Sequence, residues 1–185
     1  MRHPLDQIPP ARRQPVFLAL LAVNLAIFWV FRVTGASLTT PAAPSGIVAF
    51  ELAGSPARAE EILASWDALT RQAAAFGLGL DYVFMATYST AIGIACLWAD
   101  GRLRAARWPL SGLGGWLAWG QFLAAGLDAV ENAALYTLLM GPVRSPWPEV
   151  AAVCASGKFA LIFFGLVYAF YGLAVHLVVR PGRSG

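Results

Sequence analysis

Asp81, Asp128, Glu131 and Lys158 each stand several residues inside apolar stretches suited to hydrocarbon. An ionisable side chain within a bilayer demands a partner, a proton, water or an ion, so these positions are functional candidates by default. Asp128 and Glu131 are three residues apart, and Asp128 and Asn132 four. On a helix that spacing puts two carboxylates and an amide on one face. Lys158 can neutralise one carboxylate and donate to a second. Three acids around one amine still leave negative charge in excess, which protonation, a hard cation, water or a neighbouring arginine would have to balance. Like-charged carboxylates favour keeping a proton, so Asp128 or Glu131 is the acid/base candidate and Lys158 the electrostatic or orienting group. Isomerisation or another proton transfer suits these groups better than redox chemistry.

Positioning them requires several long helices. Apolar side chains make up 58% of the 185 residues, and Asp, Glu, Lys and Arg together only 12%. That balance, gathered into long runs, excludes an ordinary soluble domain. The runs cover about 16–31, 73–99, 110–140 and 150–179, and the shortest crosses a bilayer if its flanks reach the interface. The expected fold is all-α: a single integral membrane domain over 1–185, built as a polytopic four-helix bundle. An outward loop and an interfacial amphipathic helix, 34–72, separate the first two membrane helices.

Basic residues set the expected orientation. Arg2, Arg12 and Arg13 precede the first run; Arg102, Arg104 and Arg107 lie between the second and third; Arg180 and Arg183 follow the fourth. The positive-inside rule then places both termini in the cytoplasm of a multi-pass protein of the bacterial inner membrane. Topology and anionic headgroups also account for the net charge of +3, so no nucleic acid is expected as a partner. A cleaved secretory signal is the alternative for the first run, because Gly35, Ala36 and Ser37 follow its apolar core. Cys96 and Cys154 fall at opposite depths of different helices, which argues against a disulfide.

Between the first two membrane helices, 47–53 is an apolar patch interrupted by Glu51, too short to cross but able to enter the bundle's outer half. Ser55 and Pro56 form a helix start. Ile62, Leu63, Trp66 and Leu69 then make an apolar stripe, with Trp66 expected as an interface anchor. Asp100 and Gly101 are expected to end the second helix, and Gly112, Gly114 and Gly115 to permit close packing in the third. Counted from the outward ends, Asp81, Glu131 with Asn132, and Lys158 share a layer roughly 10 to 15 Å deep at 1.5 Å per residue.

Asp81, Asp128, Glu131 and Lys158 are therefore the candidate catalytic residues, and Glu51, Trp66, Tyr82, Tyr88, Asn132 and Tyr136 the candidate substrate contacts. Asn24 is read as a hydrogen bond between helices, and Ser89 and Thr90 as packing or helix hydrogen-bonding residues. His3, in a terminal tail, and His176 are too far apart for a zinc centre. No cofactor is expected; Mg or Ca among Asp81, Asp128 and Glu131 is the alternative. A phosphate-transfer role would need a cation or a basic clamp, for which Lys158 and Arg71 are available but insufficient.

From Phe50 onward the chain resembles uncharacterised bacterial four-helix integral membrane proteins. The resemblance rests on Phe50-Glu51-Leu52-Ala53, Ile62-Leu63-Ala64-Ser65-Trp66, Asp81-Tyr82, Asp128-Ala129-Val130-Glu131-Asn132 and Lys158-Phe159-Ala160. It groups these positions and implies no reaction. The leading expectation is a protein that binds, and as an enzyme modifies, a membrane lipid or amphiphilic small molecule reached from the outer leaflet. A proton or small-cation transporter and a non-enzymatic assembly protein are the alternatives. So short a chain could complete a larger function as a homo-oligomer.

Overall fold

A computed structural model describes residues 3–178. Arg2, Arg180, Arg183 and the last position of the fourth run, 179, lie outside the described residues. Six α-helices make up most of the rest: α1 (Pro10–Thr34), α2 (Ile47–Glu51), α3 (Pro56–Ala64), α4 (Ala68–Ala106), α5 (Gly114–Met140) and α6 (Trp147–Val178). There is no strand among the described residues. α1, α4, α5 and α6 are each long and apolar enough to cross a membrane. The chain is thus an all-α, multi-pass membrane protein. α4, α5 and α6 pack closely on one another, while α1 leans on α4 alone among the long helices. Leu25, Phe28 and Trp29 of α1 remain exposed, as suits a helix bathed in lipid.

α4 overruns its expected stop. The helix continues through Asp100 and Gly101 and ends at Arg107, whose φ of 56° is left-handed. Asp100 does not break the helix because its carboxylate is used up in holding it: Arg104 one turn on, the Gly112 amide and the Tyr168 hydroxyl all donate to it. The third membrane helix starts later than expected, at Gly114, since 108–113 forms the turn. Of the three glycines there, Gly114 makes the close approach, against Cys96 and Asp100 of α4, whereas Gly115 faces open space.

Close backbone contact also sets the α4–α6 interface. A β-carbon on Gly172 would collide with both the side chain and the backbone of Ala99. Lipid offers helices little hydrophobic incentive to associate, so such small-residue contacts supply much of the packing energy. Gly172→Val is expected to cost about 1–3 kcal/mol by overpacking. A clear fall in thermal unfolding temperature in detergent checks this, and an unchanged value would contradict the interface.

The segment between α1 and α4 departs most from expectation. Beyond forming a helix between the first two membrane helices, it packs inward: α2 and α3 fold over one end of the bundle as a cap. Phe50, Ile62, Leu63 and Trp66 share one apolar core with Leu78 of α4 and Leu135, Leu138 and Leu139 of α5. Trp66 is only 3% exposed, so it is no headgroup anchor. Its indole N–H donates to the Leu38 carbonyl at 3.0 Å and its ring meets Phe50 at 5.3 Å. A side chain with so large an apolar body gains more from core burial once its polar handle is satisfied. Ser55 caps α3 as expected, accepting from the Arg58 amide at 3.3 Å. Asp67 caps α4 in the same way, through Thr70 at 2.8 Å.

The opposite end holds a second surprise. His3 is not in a loose tail: it is buried against Trp119 and Phe122 of α5. Leu5 reaches Gly93 of α4, where any side chain would collide with it. His176 lies apart from His3 and pairs with Arg102 at 3.0 Å.

Candidate functional site

Three helices bring the expected charges together. Lys158 on α6 donates to Asp128 Oδ1 at 2.7 Å and to Glu131 Oε1 at 2.9 Å, both on α5. The period of α5 puts these two acids on its inner face, and α6 passes close enough for one ammonium to bridge them. Glu51 approaches the same ammonium from the cap, at 3.9 Å. On α4, the Tyr88 hydroxyl donates to Asp128 Oδ2 at 2.9 Å, and Asp81 accepts from the Asn132 amide at 2.7 Å. The Phe159 ring stands 5.0 Å from the lysine nitrogen, within range of a cation–π contact.

The cluster sits deeper than the sequence implied. Lys158, Asp128 and Asp81 lie eleven, twelve and thirteen residues from the near ends of their helices. At 1.5 Å per residue that is roughly 16 to 20 Å from the helix ends, since α4 and α6 begin before their apolar runs while α5 ends with its own. Isolated charges at such a depth are costly, and here they are nearly all paired. The exceptions are buried oxygens: Glu131 Oε2 and Glu51 Oε2 have no hydrogen-bond partner. Burial pushes the Glu51 carboxyl above the ordinary carboxylate range, with Lys158 pulling the other way.

A cavity of about 460 Å³ adjoins the cluster. Glu51, Asp81, Asp128, Asn132, Tyr88 and Lys158 all reach its wall, while Phe28, Phe31, Phe84 and Phe159 supply apolar surface. Glu131, at 0% exposure, is not on the wall and sits behind Lys158. The other expected contacts lie elsewhere. Tyr82 and Tyr136 are 48% and 52% exposed and do not line the cavity, and Trp66 is in the cap core. Arg71 donates to the Leu63 and Trp66 carbonyls and so ties α3 to α4 instead of serving the site. Asn24 bonds to Thr87 at 2.7 Å, joining α1 to α4 as read from the sequence. Both cysteines are free and buried.

Two contributors escape a sequence reading. Arg32 lines the cavity from the end of α1, and residues 34–48 wall it from the connection that follows. An arginine at the end of an apolar run looks like an ordinary boundary residue, and nothing local shows that the chain folds back there. Tyr88, expected as a substrate contact, lines the cavity with its hydroxyl tied to Asp128.

Chemically, the arrangement can hold charge and move protons between carboxyl, phenol and ammonium groups. Among the described residues no three His, Cys, Asp or Glu side chains are grouped to hold an ion. Lys158 occupies the place between Asp128 and Glu131 that Mg or Ca would need.

The Tyr88 contact is testable alone. Tyr88→Phe removes the donor to Asp128 Oδ2 and is expected to cost about 1–3 kcal/mol, the range for stranding a buried acceptor. Tyr82→Phe, which loses only an exposed 3.4 Å contact, should change stability by no more than about 0.5 kcal/mol. Equal thermal shifts for the two variants would refute the asymmetry.

Fold and site together define a multi-pass helical membrane protein with a buried ionic cluster opening on a cavity. Compared with protein-family models, with curated proteins and with solved structures, the chain matches none.

Proposed function

We propose that the protein binds a lipid or amphiphilic small molecule, with the polar head in the cavity beside Lys158 and the tail among membrane lipids. Asp128 and Glu131 are the acid/base candidates if the bound molecule is also turned over, with Lys158 orienting the head. The observation that carries this reading is the continuity of the cavity from buried charge to lipid-facing aromatic surface. α1 packs on α4 without a comparable interface with α6 among the described residues, and exposed Phe28 and Phe159 flank the gap. A tail can lie in that gap while the head stays with the charged groups.

The reading extends to a bacterial inner membrane, with both termini cytoplasmic and the cavity toward the outer leaflet. Arg12, Arg13, Arg102, Arg104 and Arg107 support this, since they gather at the bundle end away from the cap. Native mass spectrometry of protein extracted with its membrane lipids tests the binding claim. A repeatable co-purifying amphiphile supports it; only detergent and bulk lipid in membrane proportions would count against it.

Proton or small-cation transport is the second reading. Gln121, fully buried and seven residues from Asp128 on the same helix, leaves Oε1 without a partner, and Tyr168 with Asp100 lies beyond it. These groups extend polarity toward the opposite end. Reconstituted vesicles would then show a flux that Gln121→Leu abolishes, whereas a pure binding protein would show none.

A further inference from the structure

We infer that the head group taken by this cavity carries a protonated primary amine, held between Glu51 and Asp81. This rests on the amphiphile reading above and narrows it to one chemical class.

The cluster has more acceptors than donors. Glu51, Asp81, Asp128 and Glu131 surround the site, against Lys158 within it and Arg32 on the cavity wall. Lys158 is already committed, with two of its three N–H groups given to Asp128 and Glu131. An anionic head would find one N–H of Lys158 and the Arg32 guanidinium, but beside Glu51, Asp81 and Asp128 it would meet more like charge than opposite charge, a mismatch that disfavours it. Asp128 is also saturated, by Lys158 and Tyr88.

On the cavity wall, open acceptors remain on Glu51 and Asp81, while the unpartnered Glu131 oxygen lies behind it. Glu51 is only 9% exposed, lines the cavity, and its Oε2 lacks any hydrogen-bond partner. Asp81 has Oδ2 engaged by Asn132, which leaves its other oxygen for a ligand. A primary ammonium carries three N–H donors and can satisfy both acids, returning a partner to the stranded Glu51 oxygen. A quaternary ammonium has the charge but no N–H to donate. Part of the wall is aromatic, from Phe31, Phe84 and Tyr88, with Phe84 in ring contact with the other two at 5.5 and 5.3 Å. Ring faces attract cations and repel anions, so they select in the same direction as the carboxylates. Arg32 leaves room for a phosphate on the same head, farther out along α1.

The experiment is a head-group panel on the full-length protein in a neutral maltoside detergent. Lysophospholipids of one acyl chain, bearing ethanolamine, choline or glycerol heads, are titrated and binding is read by calorimetry. The ethanolamine form is expected to bind about tenfold tighter than either other form, a difference of about 1.4 kcal/mol. Glu51→Gln should erase most of that preference, lowering the ethanolamine affinity more than the choline affinity and the glycerol affinity least, and its elution profile on size exclusion should match that of the parent. Equal affinity for all three heads, or preference for glycerol, overturns the amine inference and leaves the amphiphile reading standing. If no lipid binds saturably, both fall. The panel on the parent protein decides the question even if Glu51→Gln proves unstable.

Discussion

Replacing Lys158 with methionine is expected to cost about 3–5 kcal/mol, the largest stability loss of any single substitution in this protein. Asp128 and Glu131 bond to opposite sides of one ammonium, at 2.7 and 2.9 Å. Without it, two buried carboxyls lose their shared cation and are left as unpaired like charges. Protonation would relieve the repulsion but not return the lost hydrogen bonds. Methionine fits the space, so the loss isolates charge from packing. The companion triple variant, Lys158→Met with Asp128→Asn and Glu131→Gln, should recover most of the stability, because a neutral polar cluster has no unpaired charge to bury. Thermal unfolding and size exclusion in detergent read both outcomes. If Lys158→Met were as stable as the parent, the ion cluster would not be what holds α5 to α6 at this depth.

Of the two acid/base candidates, Asp128→Asn should have the larger effect on ligand retention. Its two carboxylate oxygens accept from Lys158 and from Tyr88. An amide has one oxygen to offer and turns an NH2 group toward one of those donors, so the wall of the cavity must rearrange. Loss of a charged hydrogen bond is worth about 1.5–3 kcal/mol, or roughly 10- to 100-fold in affinity. Glu131→Gln alters the same ammonium from behind the wall and is expected to lower stability while sparing ligand retention. Counting retained amphiphile per protein by native mass spectrometry separates the two. Equal losses would show that the cavity does not distinguish these acids. The contrast also sorts the acid/base candidates, since only Asp128 can touch a bound molecule.

Much of the bundle is legible in the chain. The three- and four-residue spacings of Asp128, Glu131 and Asn132 fix them to one face of α5, whatever the helix packs against. Lys158 falls at a compatible height because the short connection between α5 and α6 makes them antiparallel neighbours. The four membrane helices follow from apolar length. These features depend on the helical period and on hydrocarbon thickness, both of which act locally.

What local rules could not reach was decided by packing. The apolar stripe of α3 can face lipid or protein equally well, and only the fit of Trp66 and Phe50 into the α4–α5 end sends it inward. That choice carries Glu51 to Lys158 and closes one side of the cavity. Tyr88 joins Asp128 because α4 is rotated to suit its glycine and alanine contacts, which no count along the helix reveals. Arg32 and Phe28 enter the site because α1 stops short of α6 and leaves a gap. Residue types and spacing settle which side chains share a helix face and which helices can cross a membrane. The rotation of each helix, the fold of the cap and the shape of the space between them come from contacts distant in sequence, where small differences in packing energy choose among arrangements that the local pattern allows equally.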